Sequence, residues 1–212
     1  SHAYNVAVNL ASVEVDVNAV TFQAHALSGA DFSITGLGNT FNNDANNIVG
    51  NSATLANNFR YAGNPGTIVM TNLTEGAYYR TTFYGCGFGA PGSRVQTFNA
   101  EGDTADIDEH VYDNNNGMRA SYTFRAGASG AKTYTITPHV ANNTFHLYAL
   151  SNREVPLDEM LEIYNGDVTG LGSVSATFNG TLNASNAVYD VYAYWGTSNA
   201  GAQVTGWDDS VQ

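Results

Sequence analysis

The chain has 212 residues, of which 43% are hydrophobic and 12% aromatic, enough to build a sizeable core. Nineteen acidic residues against seven basic ones give a net charge of −12. This balance argues against nucleic acid and anionic membranes as partners. No apolar run approaches the roughly 18 residues that a membrane-spanning helix needs, so we expect no membrane insertion. A single cysteine excludes an intramolecular disulfide framework.

Strand signals dominate residues 1–155. Short β-branched and aromatic runs alternate with clusters of Gly, Asn, Asp and Ser. The predicted strands lie in "YNVAVNLASVEVDVNAVTFQAHAL", "GTIVMTNL", "GAYYRTTFYG", "SRVQTFNAEG", "ADIDEHVY", "MRASYTFRAG", "AKTYTITPHV" and "NTFHLYALSNREV". Residues 37–58 are rich in asparagine and predict a binding loop or an ordered excursion. Many short strands without helices indicate an all-β fold, an antiparallel β-sandwich of the jelly-roll type.

The pattern changes after residue 155. "PLDEMLEIYNG" has Pro first, acids in its first turn and Gly last, which predicts a linker or short helix within 156–169. Residues 170–212 contain two alternating runs, 174–182 and 188–195, that predict a short β-hairpin. So few strands do not make a self-sufficient sandwich. The segment therefore predicts an unpaired strand edge and a possible dimer through it.

The only cysteine, Cys86, lies in "YRTTFYGCGFGAPGSRVQTF". A catalytic thiol needs a nearby base and often a helix N-terminus, and "GFGAPG" begins no helix. The run also lacks the GK[ST] ending of a phosphate-binding loop. We therefore interpret it as a glycine-rich connection between two strands, with Cys86 as a small, semi-buried residue. The sequence predicts no catalytic residue.

Six acids lie close together in "EGDTADIDEHVYDNNNG". Oxygen ligands at this density suit Ca²⁺, and Asp106, Asp108 and Asp113 are the candidate metal ligands. A structural calcium ion would be the one cofactor, and its removal with EDTA would lower the melting temperature. The alternative is a solvated acidic edge that keeps strands from aggregating, and this is the interpretation that the sequence favours.

Aromatic and planar polar side chains predict a sugar-binding site, because sugars bind aromatic faces together with groups such as arginine. In "YYRTTFYG", Arg80 and Tyr84 share one face of a strand. In "TFHLYAL", Phe145 and Leu147 suit the core. Because side chains alternate along a strand, His146 and Tyr148 would then face solvent or a binding surface. The candidate ligand-binding residues are Tyr61, Arg80, Tyr84, Phe88, Arg94, His146 and Tyr148. Alternatively, these side chains decorate an exposed sheet, and the arginines pair with the acidic segment.

Several phrases also resemble a known kind of module. "LANNFRYAGNPGTIVMTNLTEGAYYRTTFYGCGFGAPGSRVQTF", the acidic segment and the closing "NTFHLYALSNREV" resemble modules repeated in large secreted and surface proteins of planctomycete- and verrucomicrobia-type bacteria. Those modules are similar to the galactose-binding-like jelly rolls found among carbohydrate-binding modules. The tail "ATFNGTLNASNAVYDVYAYWGTSNAGAQVTGWDDSV" resembles the first half of a fibronectin type III-like module.

The resemblance implies a non-catalytic, extracellular polysaccharide-binding module, secreted or on the cell surface. The start "SHAYNV" predicts an internal cut point or a tag remnant, and with the resemblance we expect a fragment of a larger secreted bacterial protein. Two alternatives stay open. One is an adhesive or structural spacer module with a protein–protein role, and the other is a fragment of an enzyme that acts on polysaccharide.

Overall fold

The computed structural model of the chain describes residues 3–10, 13–24, 27–43, 47–89, 91–156, 159, 162–173, 175–183, 191–198, 205 and 207–211. The chain divides into two compact units, residues 1–155 and residues 156–212. Each unit is described by itself below.

The first unit is built almost entirely from short strands. In chain order they are β1 (Tyr4–Asn9), β2 (Val15–Val17), β3 (Val20–Ala24), β4 (Phe32–Thr35), β5 (Asn39–Asn42), helix α1 (Asn51–Leu55), β6 (Asn58–Tyr61), β7 (Gly66–Met70), β8 (Tyr78–Cys86), β9 (Val95–Ala100), β10 (Asp103–Asp108), β11 (Gly117–Arg125), β12 (Lys132–Pro138) and β13 (Ala149–Glu154). The all-β prediction is confirmed.

These strands form a sandwich of two sheets. The six-stranded sheet has the order β11-β8-β13-β1-β3-β2, and the five-stranded sheet has the order β10-β9-β12-β7-β4. Pairing is antiparallel in both sheets except between β1 and β3, which run parallel. The first and last strands of the unit, β1 and β13, are hydrogen-bonded neighbours. This pairing closes the unit on itself.

The main core lies between the two sheets. Side chains alternate along each strand, so every second residue points inward. On β8, Tyr79 and Phe83 are buried in this core, as the alternation predicts. The six-stranded sheet also contributes Val6, Val8, Met118, Phe124 and Leu150, and the five-stranded sheet contributes Phe32, Ile34, Ile68, Met70, Phe98, Tyr134 and Ile136.

The asparagine-rich segment forms an excursion from the sandwich, which we define as its described residues 39–43 and 47–61. Its strands β5 and β6 pair with each other, and α1 lies between them in sequence. Arg60 attaches the excursion to the six-stranded sheet, since its backbone exchanges two hydrogen bonds with Leu147 just before β13. The excursion contributes Leu55 to a small apolar cluster on the outer face of that sheet, with Val15, Phe22 and Ala149.

The second unit contains β14 (Glu162–Asn165), β15 (Gly180–Asn183), β16 (Ala193–Trp195) and β17 (Asp209–Val211). The prediction of a short helix is wrong at residues 162–165, because β14 pairs with β15 there. The predicted hairpin within 174–195 is also wrong, since β16 pairs with β17 instead. Residues 174 and 184–190 lie outside the described part. The fibronectin-like assignment and dimerisation through this unit stay predictions.

None of the helices in the described ranges is long and apolar enough to cross a membrane.

The central position of Leu150 gives a test of the core. Leu150 lies on β13 opposite Phe83 and Val8 and is fully buried. Leu150→Ala should lower the free energy of unfolding by about 2–5 kcal/mol, because the cavity adds to the lost transfer energy. Val140→Ala, at a side chain that is 54% exposed, should change it by less than about 0.5 kcal/mol. Urea denaturation of both variants measures this, and equal losses would contradict the placement of the core.

Candidate functional site

A wide opening lies on the outer face of the six-stranded sheet. It consists of two depressions with volumes of about 580 Å³ and about 340 Å³. Both depressions are lined by Val17, Asn18, Tyr84 and Arg119, so they adjoin one another. We call the two depressions together the sheet groove.

Tyr84 and Arg119 lie at the junction of the two depressions. They face each other in register on the neighbouring strands β8 and β11, so their side chains emerge side by side on one face. Tyr84 Oη is within 3.2 Å of Ser151 Oγ, and its ring meets Phe22 edge-on at 5.5 Å. Burial is the main cause that raises the pKa of Tyr84. The phenol therefore stays neutral and available for hydrogen bonding.

Three further segments complete the groove. The tight β2–β3 turn contributes Asn18, and Asn18 and Ala19 both have positive φ, the geometry of a type I′ hairpin turn. Helix α1 contributes Ser52 and Leu55. The loop after β10 contributes Tyr112, whose side chain is 62% exposed. The groove thus combines aromatic faces with amide, hydroxyl and guanidinium groups.

A second group of aromatic side chains surrounds Phe59 of β6. The Phe59 ring centroid lies 4.1 Å from His146, 5.3 Å from Phe88 and 5.7 Å from Tyr61. Arg94 reaches the same region, because its Nε donates to the Phe88 carbonyl. Together with Tyr148, whose ring also packs against Phe59, five of the seven predicted ligand residues therefore meet here, and of these five Tyr148 alone also lines the sheet groove. Phe41, which is 48% exposed, covers the outside of this group at 5.2 Å from Phe88.

Glu109 is a fully buried acid beneath this aromatic group. Its Oε1 accepts a hydrogen bond from the His146 backbone at 2.6 Å, and its Oε2 lies 2.9 Å from His146 Nδ1 and 4.0 Å from Arg94 Nε. Burial raises the pKa of Glu109 well above its usual value. Burial, with help from Arg94 and His110, lowers the pKa of His146 to about 3. A neutral acid beside a neutral imidazole is the state that these directions favour.

The expectation that His146 and Tyr148 face solvent is wrong. The excursion covers both, and their exposed fractions are 2% and 1%. Tyr148 Oη accepts a hydrogen bond from Asn43 Nδ2 at 2.9 Å, and its ring packs 5.1 Å from Phe59. Although buried, Tyr148 still forms part of the wall of the sheet groove.

Arg80 belongs to neither group. It lies on the outer face of β8, the same face as Tyr84, as the alternation predicts. Its Nε donates to Thr123 Oγ1 on the neighbouring strand at 3.0 Å. This bond holds the side chain along the sheet, so Arg80 is not among the groove-lining residues.

The structure does not bring Asp106, Asp108 and Asp113 together. Asp106 accepts from Thr97 Oγ1 and lies 3.1 Å from His139 Nε2, and the Asp108 carboxylate accepts from a backbone N–H two residues on. Within the described ranges no group of three or more His, Cys, Asp or Glu side chains could hold a metal ion. Calcium binding therefore stays a prediction for which the described residues supply no site.

Cys86 is fully buried at the end of β8. Burial is the main cause that raises the pKa of its thiol to about 11, so the thiolate that a nucleophile needs is disfavoured. The adjoining Gly87 exchanges backbone hydrogen bonds with Asn115 and Asn116. A Cβ on Gly87 would meet the Asp113 carbonyl oxygen at 2.5 Å. This glycine is needed because two loops pass close to each other here.

The sequence predicted Tyr84 as a ligand-binding residue, but it did not point to Arg119 or Tyr112, which line the same groove. Arg119 and Tyr84 are neighbours only because β11 pairs with β8, across two intervening strands in sequence. Alternation within "MRASYTF" could have placed Arg119 on the opposite face of its strand from Met118. It could not show that this strand pairs with the strand that carries Tyr84. Tyr112 ends the predicted strand "ADIDEHVY", but β10 stops at Asp108 and Tyr112 lies in the loop that follows.

No protein-family model matches the chain, and no curated protein matches it. Solved structures do share its fold. The ANX2 ectodomain from Arabidopsis thaliana superposes with a TM-score of 0.57 at 14% identity, over 72% of this chain and 50% of that one. The Bacteroides uniformis beta-glucuronidase gives a TM-score of 0.57 at 12% identity, over 71% of this chain and 18% of that one.

A structure of the plant peptide RALF23 in complex with FER and LLG2 matches with a TM-score of 0.57 at 12% identity, over 74% of this chain and 50% of the matched chain. The chain therefore spans about half the length of the ectodomains that it resembles. At these identities the likeness concerns the fold alone, an all-β sandwich.

The buried Glu109 gives a pH-dependent prediction. Because its pKa in the folded state is raised above the ordinary value of 4.5, its contribution to stability is present below that value and is lost as the pH rises through the folded pKa. Glu109→Gln is neutral at every pH. The melting temperature of Glu109→Gln should therefore rise relative to wild type as the pH increases above about 4.5.

His146→Gln serves as the control with the opposite sign. The pKa of His146 is lowered from 6.5 to about 3, so its contribution is present above 6.5 and is lost as the pH falls. The melting temperature of this variant should rise relative to wild type as the pH falls below about 6.5. Differential scanning fluorimetry across the range measures both slopes, and differences that do not vary with pH would rule out the buried neutral pair.

Proposed function

We propose that the first unit is a non-catalytic carbohydrate-binding module whose sheet groove holds the sugar. The observation that carries this proposal is the composition of the groove. Tyr84 and Tyr112 offer aromatic faces, while Asn18, Ser52 and Arg119 offer hydrogen-bonding groups. Apolar surface with a few placed polar groups is the usual pattern of a small-molecule site.

The dimensions suit more than one sugar ring. The larger depression alone, at about 580 Å³, falls within the range of roughly 300–1,000 Å³ that is common for ligand pockets. The second depression continues from it past Tyr84 and Arg119. An open path of this kind suits an interior stretch of a polysaccharide chain rather than a free monosaccharide.

The lining favours binding over hydrolysis. Most glycosidases use a pair of carboxylates that flank the scissile bond. The described residues that line the groove include no aspartate and no glutamate. The buried Glu109 does not line the groove either, because it lies beneath the aromatic group around Phe59. These features support a module that holds polysaccharide for a larger protein.

We place the module outside the cell, in a secreted or surface protein of bacterial origin. The sequence resemblance supports this setting, and the shared fold with plant receptor ectodomains and a bacterial glucuronidase is compatible with it. The second candidate is a spacer or adhesion module that binds protein. The exposed aromatic side chain of Phe41, beside Phe88, is the feature that favours this alternative.

Tyr112→Ala separates the two candidates. Tyr112 is exposed and lines the groove, so its loss should remove a stacking surface without disturbing the core. We expect retention on a panel of plant and algal polysaccharides in affinity gels, reduced about tenfold or more in Tyr112→Ala, on the scale of roughly 1–2 kcal/mol for a lost aromatic contact.

Tyr192→Ala is the matched control, since it removes an exposed tyrosine from the second unit. Its retention should equal that of wild type, and the melting temperatures of both variants should match as well. If no polysaccharide retains the wild-type protein, or if Tyr112→Ala is retained as strongly as wild type, the proposal fails and the protein-binding candidate takes its place.

A further inference from the structure

We infer that the sheet groove recognises an anionic sugar unit, with the Arg119 guanidinium binding its carboxylate or sulfate group. This inference rests on the proposed carbohydrate-binding function and names the class of sugar. It is carried by the distribution of charge around the groove and by the lack of a protein partner for Arg119.

The charge of the groove contrasts with that of the whole chain. The sequence has 19 acidic residues and seven basic ones. The described groove-lining residues nevertheless include one arginine and no acid. Like charges at close range are unfavourable, so a groove for an anion has to exclude carboxylates from its walls. A groove for neutral sugars has no such requirement, because aspartate and glutamate are good acceptors for sugar hydroxyls.

Arg119 also differs from most of the other cationic side chains. Each of the following donates a hydrogen bond within the protein: Arg80 to Thr123, Arg94 to Phe88 and Thr144, Arg125 to Gly76, Lys132 to Ala100 and Glu101, and Arg153 to Glu154. The Arg119 side chain forms no hydrogen bond or ion pair with the described residues. Arg60 Nε likewise has none, but it is buried and does not line the groove.

The position of Arg119 suits a sugar acid. The guanidinium is a planar fork of donors that binds carboxylate or sulfate oxygens in pairs. Its neighbour across the strands is Tyr84, in register on the same face. A sugar ring lying against the aromatic side chains of the groove would present a ring-borne anionic group to a guanidinium one strand away.

The test uses the full 212-residue chain and pairs of polymers that differ only in charge. The first pair is polygalacturonate and its carboxyl-reduced form, and the second is dextran sulfate and dextran. Affinity electrophoresis and calorimetry at about 0.15 M salt keep the long-range repulsion by the acidic protein screened. The variants are Arg119→Gln and, as a matched control, Arg125→Gln, which lies on the same strand and the same face.

We expect one charged polymer to bind at least about tenfold more tightly than its neutral partner, and Arg119→Gln to abolish that preference, on the scale of one charge-assisted hydrogen-bonded pair. Arg125→Gln should bind like wild type, and both variants should keep the wild-type melting temperature. The pair that shows the preference identifies the anion as carboxylate or sulfate.

Two other outcomes are distinguishable. If neutral polymers bind as tightly as charged ones and Arg119→Gln binds like wild type, the anionic class is wrong while the carbohydrate-binding function stands. If no polymer in the wider panel binds at all, the proposed function itself is wrong, and this inference falls with it.

Discussion

The hydrogen bond from Asn43 to Tyr148 fixes the excursion on the six-stranded sheet, and much of the structure depends on it. Both side chains are buried, so leaving either polar group unpaired would cost about 1–3 kcal/mol. With this bond in place, Phe59 packs on Tyr148 from one side. On the other side, α1 and Tyr148 together line the sheet groove. The excursion thus builds one wall of the groove and the cover over Glu109 and His146.

The same cover explains the state of Glu109 and His146. In water, an acid and an imidazole 2.9 Å apart would form an ion pair, but removing two charges from water costs more than their attraction returns unless the geometry is excellent. The aromatic rings that surround His146 offer no such compensation. The pair therefore gains more from staying neutral. The hydrogen bond that Glu109 accepts from the His146 backbone anchors the segment that leads into β13.

Sequence reasoning succeeded where local alternation decides the outcome and failed where strand pairing does. The inward positions of Tyr79 and Phe83 follow from their spacing along β8. His146 obeys the same alternation, yet it is buried because residues about ninety positions earlier fold over it. The neighbourhood of Tyr84 and Arg119 depends on β11 pairing with β8. No local pattern encodes such pairings. The groove could therefore not be predicted, although two of its aromatic residues, Tyr84 and Tyr148, were candidates from the sequence.

The acidic edge of the sandwich and the groove without acids lie on different sheets. Strand β10 is the edge of the five-stranded sheet, and its exposed acids, Asp103 and Asp106, keep that edge from pairing with another chain. The groove lies on the outer face of the other sheet, where the described lining holds no acid. Beyond a Debye length of about 8 Å the acidic surface contributes little at physiological salt. The electrostatic interactions of a ligand in the groove are therefore chiefly those with the residues that line it. Arg119 is the charged residue among those that the structure describes.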